Sequence, residues 1–168
     1  MAVVDEILRA QLHPRAVMER QLETAGNEII NLCLALAFGF LSFIALIPDT
    51  VARAVLADVP PSAMLLPAAM GSLALLPIFL YLISAIQRLI GRLVGGQGTS
   101  ERARRGLFWS LMVATPWSLL SGLTSEIFEG LVAFSFAVLA FGIFLLNWSI
   151  GIWINETNSL LHKARQNS

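Results

Sequence analysis

The sequence predicts an all-α fold: a polytopic membrane helical bundle with four transmembrane helices and an N-terminal amphipathic helical leader. Three observations carry this. Of 168 residues, 57% are apolar and only 13% charged, with a mean hydropathy of +0.75, whereas soluble domains carry about a quarter charged residues. Four stretches, 29–47, 62–86, 107–123 and 131–154, hold 19, 25, 17 and 24 residues without a single Asp, Glu, Lys, Arg or His. Together they take up 85 residues, so every charge sits in the other half of the chain. The runs do not alternate apolar and polar residues as barrel strands do. The remaining 83 residues are too few to cover four all-apolar helices in a soluble fold. Composition also excludes a disordered chain, a nucleic-acid binder and a disulfide scaffold.

Residues 1–28 form the leader. Val3, Val4, Ile7, Leu8 and Leu12 recur at helical spacing opposite Asp5, Glu6 and Arg9. Pro14 suits the first position of a second helix, where its missing N–H costs nothing. Val17, Met18, Gln21, Leu22 and Ala25 form that helix's stripe, and Gly26 is placed to supply a left-handed stop. Such helices either lie in the membrane interface or dock on the protein's own helix ends.

Residues 29–157 form the membrane domain, with spans 29–47, 62–86, 107–125 and 131–154. A helix rises about 1.5 Å per residue, so roughly 20 residues cross the hydrocarbon. The third run reaches that length once Thr124 and Ser125 are added. The lone cysteine, Cys33, has no disulfide partner and reads as a packing residue. Trp109 and Trp153 fall at the ends of spans three and four, where an aromatic belt is expected, while Trp117 and Trp148 lie deeper and fit packing. Asn147 lies deep in the fourth run, where a bond to another helix is expected. Small-residue pairs at four-residue spacing, Ala35/Gly39, Ala68/Ser72 and Ala133/Ala137, permit close helix contact. Pro67, Pro77 and Pro116 lie inside spans, where each removes a backbone hydrogen bond. They either mark a gate or shape the bundle.

The net charge of zero conceals an asymmetry. Leader, second loop and the tail at 158–168 share one side and carry ten basic residues, against Arg53 alone on the other. With acidic residues counted, the two sides stand at +3 and −3. Basic residues near span ends orient insertion, so both termini are expected in the cytoplasm of a bacterial cell, with the protein in the inner membrane. The second loop concentrates Arg88, Arg92, Arg102, Arg104 and Arg105, which are candidates for contact with anionic lipid or a protein partner; the alternative is a plain topology signal. Gly95-Gly96-Gln97-Gly98 breaks the helix that carries the first two, and Thr99 or Ser100 caps the next. No Lys-Ser/Thr follows these glycines and no strand precedes them, so they do not read as a phosphate loop.

No ionisable group lies at membrane depth, where a pump or proton-coupled transporter needs one. His13 and His162 have no metal-ligand spacing, and no nucleophile–base set is present. Catalytic, metal and cofactor residues are therefore expected to be absent.

Three patches resemble the Yip family of membrane proteins (Ypt/Rab-interacting proteins), in its short bacterial branch. They are the leader around Pro14 (Leu12 to Arg20), the glycine loop with Gly95 and Gly96 followed by a helix containing Pro116, and Trp153-Ile154-Asn155 at the close of the last span. The resemblance implies a compact helical membrane domain. Eukaryotic relatives partner small prenylated GTPases, but they have five spans and a longer leader, so that role is not carried over. The expected function is a non-enzymatic membrane-organising or partner-binding protein, in contact with bilayer lipids and other membrane proteins and able to form homo-oligomers. The alternative is a small transporter or channel subunit with proline-kinked helices.

Overall fold

The structure, a computed structural model, describes residues 3–125 and 131–166, and of these the side chains of 3–124, 131–132 and 134–157. Glu126, Glu129, His162, Lys163 and Arg165 lie outside the described side chains; Lys163 and Arg165 count toward the basic side and Glu126 and Glu129 toward the other. Every described element is helical: α1 (Val3–Leu12), α2 (Pro14–Glu23), α3 (Glu28–Leu56), α4 (Pro61–Met70), a π-helical turn (Gly71–Leu75), α5 (Leu76–Leu93), α6 (Ser100–Ser125) and α7 (Leu131–Gln166). Four helical stretches, Glu28–Leu56, Pro61–Leu93, Ser100–Thr124 and Phe134–Thr157, are long and apolar enough to cross a membrane. This is a multi-pass membrane protein.

Helices outrun the apolar runs because a helix has no reason to stop where charge begins. α3 continues from 47 to Leu56 through Pro48, with Asp49 and Arg53 paired at 2.8 Å one turn apart. It ends on Asp58 at φ 53°, where the Val59 N–H reaches Ala54 O and the Asp58 N–H reaches Val55 O. These two bonds satisfy carbonyls that the helix end would otherwise strand. α7 likewise continues from 154 to Gln166.

Pro67 and Pro77 bracket the π turn. The extra residue in that turn re-registers the ladder where Pro77 has no N–H to donate. Ser72, in this turn, presents its carbonyl to Gly39 of α3, and a Cβ at Gly39 would collide with that oxygen. Ala35, Gly39 and Ser72 are buried and Ala68 is half-buried; one member of each of the first two small-residue pairs, Gly39 and Ser72, meet at a helix crossing. Ala137 of the third pair is exposed, and Ala133 lies outside the described side chains. Pro77 packs into the same crossing, its ring 3.7 Å from the position of that Cβ.

The bundle is inverted relative to a soluble protein. Leu36, Phe40 and Ile44 on α3, Phe79 and Ile83 on α5, and Phe134, Val138 and Phe141 on α7 point outward, while Asn31, Ser72, Ser84, Ser110, Thr115 and Asn147 are buried. Lipid takes the place of water outside, so polar groups turn inward to find partners. α6 is the central helix, packed by α3, α5, α7 and both leader helices. It is the least apolar span and the most enclosed one.

Four expectations are corrected. Cys33 is exposed on α3 and does not pack inside. Trp109 is 2% exposed and so belongs to the core, because the leader covers the end of α6 that a belt residue would line. Asn147 donates to Ile143 O of its own helix at 3.0 Å, the nearest carbonyl one turn back. Gly26 does not take a left-handed conformation. The α2–α3 turn is closed instead by Ala25 N–H to Leu22 O and by Asn27, whose side chain accepts from the Ile30 N–H and caps α3.

Replacing Gly39 by alanine is expected to force α3 and the π turn apart. The cost should be about 1–3 kcal/mol, as for other overpacked sites, read as a lower thermal midpoint in detergent. Gly142→Ala, where a Cβ meets open space, should leave the midpoint unchanged or raise it.

Candidate functional site

The second loop and the end of α7 close on each other at the basic end of the bundle. α5 stops because Gly95 takes φ 84°, which lets the Gly96 N–H reach Gly91 O at 2.7 Å and the Gly95 N–H reach Arg92 O at 3.0 Å. Thr99, not Ser100, then caps α6, its hydroxyl accepting from the Arg102 N–H at 3.3 Å. Between these stops the loop's backbone is held by side chains of α7. Asn155, 2% exposed, accepts from the Thr99 N–H at 3.1 Å and donates to Thr99 O at 3.4 Å. Glu156 accepts from the Gly98 N–H at 3.0 Å. Arg88 reaches from α5 to Glu156 at 3.6 Å and to Gly96 O at 3.4 Å. Gly98 leaves the space for this clamp, since a Cβ there would collide with the Asn155 amide.

The leader completes the end. α2 buries Val17, Met18 and Leu22, with Ala25 just beyond it, as its stripe predicts. Met18 lies against Gly151, where Gly151 of α7 approaches Gly106 of α6. Of the expected α1 stripe only Ile7 packs inward, beside Ala10, which the stripe did not include, while Val3, Val4, Leu8 and Leu12 stay exposed. Gln11 donates to Val113 O at 2.9 Å and accepts from the Trp117 indole at 3.3 Å. Of the two placements open to the leader, docking on the bundle is the one found.

The five loop arginines separate into three environments. Arg105 is 1% exposed and donates to Thr24 O and Thr24 Oγ1, both at 3.2 Å, so it binds the leader and offers nothing to the surface. Arg102 lines a concavity with Glu19, Leu22 and Glu23 of α2. Arg88, Arg92 and Arg104 line one pocket of about 240 Å³ with Ser84 and Ser100. Arg104 also holds Glu28 of α3 at 2.9 Å, and Glu28 accepts from the Tyr81 hydroxyl at 2.8 Å. One carboxylate thus ties three spans together. On the far side of Arg88 an apolar groove of about 340 Å³ runs between α5 and α7, walled by Ile83, Ile86, Ile90, Trp148 and Ile152.

Of the family-like positions, Gly96 and Asn155 take part in the clamp, and Gly95 ends α5 just before it. Pro14 starts α2, whose Arg15 stands over the Trp153 ring at 4.8 Å. Pro116 is not part of this site; it lies far along α6, next to Trp117. Glu28, Glu156, Thr24 and Arg15 are site residues that the sequence reading missed. The available signal was that Glu28 and Glu156 directly flank apolar runs, where an unpaired carboxylate is costly. Among the described residues no three His, Cys, Asp or Glu side chains converge to hold a metal. Comparison with family models, curated proteins and solved structures finds no match to this chain.

Breaking the clamp should free the loop. Gly98→Ala and Asn155→Leu are each expected to cost about 1–3 kcal/mol, the penalty for stranding buried polar groups. Trypsin should then cut the detergent-solubilised protein faster at Arg92 and Arg102. Gln97→Ala, at an exposed position, should leave the cleavage rate unchanged.

Proposed function

We propose that this chain is a non-enzymatic integral membrane protein, resembling the Yip family, that organises lipids or binds partner membrane proteins through its basic end. The observation that carries this reading is the convergence, at one end of the bundle, of the docked leader, the glycine loop and the end of α7, with cationic side chains left at its surface. The polar groups gathered there do structural work: Asn155 holds Thr99, Glu28 holds Arg104 and Tyr81, and Arg105 holds Thr24. That chemistry joins helices and presents a face. The exposed Val4, Leu8 and Leu12 on α1 lie one turn apart and give the docked leader an apolar contact edge.

The excess of basic residues at this end supports an orientation in which it faces the cytoplasm from a bacterial inner membrane. Gly98 has no room for a side chain, so the neighbouring exposed Gln97 is the better probe of this orientation. In a Cys33→Ser background, an impermeant maleimide added to intact cells is expected to label Ala57→Cys and to spare Gln97→Cys. The reverse pattern overturns the orientation.

The functional reading is tested by native mass spectrometry of the protein released from its membrane in mild detergent. A stable oligomer, a retained membrane protein or an enriched lipid supports it. A bare monomer, with none of the three, overturns it.

A further inference from the structure

The pocket formed by Arg88, Arg92 and Arg104 points to a ligand of particular chemistry. Two of its three guanidinium groups are already paired, Arg88 with Glu156 and Arg104 with Glu28. Neither carboxylate lines the pocket, and no acidic residue among the described ones does. Arg92 is exposed, with no ion-pair partner among the described residues. The pocket therefore carries net positive charge, with Ser84 and Ser100 as its other polar lining residues. Guanidinium forks of this kind match the oxygens of a phosphate.

Position selects the source of that phosphate. Arg88 lies two residues beyond the apolar run that ends at 86, and Arg104 three residues before the run that begins at 107. At about 1.5 Å per residue both are only ~3–5 Å outside the apolar layer, the depth of lipid headgroups. Arg88 also lines the mostly apolar groove between α5 and α7, along with Ile83, Ile86, Ile90, Trp148 and Ile152 and with Gln87, Asn155 and Glu156. A cationic pocket and an apolar groove that share one arginine at headgroup depth fit the two ends of a single amphiphile.

We propose that Arg88, Arg92 and Arg104 bind the phosphate of an anionic glycerophospholipid and that the α5–α7 groove takes one of its acyl chains. This rests on the functional reading above and names the lipid class for its basic end.

The test uses full-length protein delipidated in a neutral detergent, with lipid adducts counted by native mass spectrometry. Phosphatidylglycerol is expected to bind more tightly than phosphatidylcholine of the same acyl chains. Arg92→Gln should weaken phosphatidylglycerol binding about fivefold, the effect of one basic residue near the surface, with an unchanged thermal midpoint. Arg102→Gln removes the same charge from the concavity facing Glu19 and Glu23 and should change binding less than twofold. Ile86→Trp, which fills the groove, should weaken long-chain phosphatidylglycerol more than its dihexanoyl analogue. Equal binding of the two headgroups, or equal effects of the two arginine variants, overturns the proposal. Displacement of the lipid by millimolar inorganic phosphate overturns its lipid half, because the pocket is then a free-anion site. The same spectra report oligomers and retained proteins. If those are present without lipid selectivity, the lipid site fails and the functional reading stands; if nothing is bound at all, both fail.

Discussion

Helix α6 enters the bundle carrying an arginine that has almost no access to water, and much of the basic end follows from that. A buried guanidinium without partners is among the most expensive things a fold can contain. Arg105 finds acceptors for one of its three nitrogens, Nη2, at Thr24 in the turn after α2, so the fold of the leader back onto the bundle supplies the bonds it has. Once there, α2 covers the Gly106–Gly151 approach with Met18, and α1 reaches Val113 and Trp117 through Gln11. The leader is thus a built part of the helical core, and the burial of Trp109 is one result.

Two kinds of contact hold the spans. At the basic end the contacts are polar and bridge helices: Glu28 joins α3, α5 and α6, Asn155 and Glu156 join α7 to the loop, and the Trp148 indole donates to Gln87 between α7 and α5. Within the apolar layer the contacts are steric, as where Gly39 admits the Ser72 carbonyl and where Gly122 lies close to Ala45 O. The division has a physical basis. In hydrocarbon there is no hydrophobic drive to bring helices together, so close packing of small residues does the work. Near the headgroups, charged side chains can pair while part of each remains hydrated.

Much of this was readable from local chemistry. The four spans are written in charge-free runs, and the stop at Gly95 in a glycine cluster. Pro14 marks the start of α2, and the stripe Val17, Met18, Leu22, Ala25 marks its buried face. Other residues looked equivalent in sequence and were not. Arg104 and Arg105 are neighbours, yet one lines an open pocket while the other is sealed under the leader. Val4 and Ile7 belong to one apolar stripe, yet only Ile7 packs inward. Adjacent helical residues point about 100° apart, so rotation of the helix decides which of them faces a neighbour.

By itself the sequence determined that this protein is a four-span helical membrane protein with one basic end, because transfer of backbone and charge into lipid depends on composition and run length alone. It also determined the local stops and starts, since these need only residues within a turn of each other. The tertiary structure decided which arginines share a pocket, which carboxylates hold the helices, and that Asn155 clamps a loop 56 positions away in the chain. Those outcomes depend on how four helices rotate and cross. Rotation is set by pairs such as Gly39 with Ser72 and Arg105 with Thr24, whose partners are not neighbours in the chain.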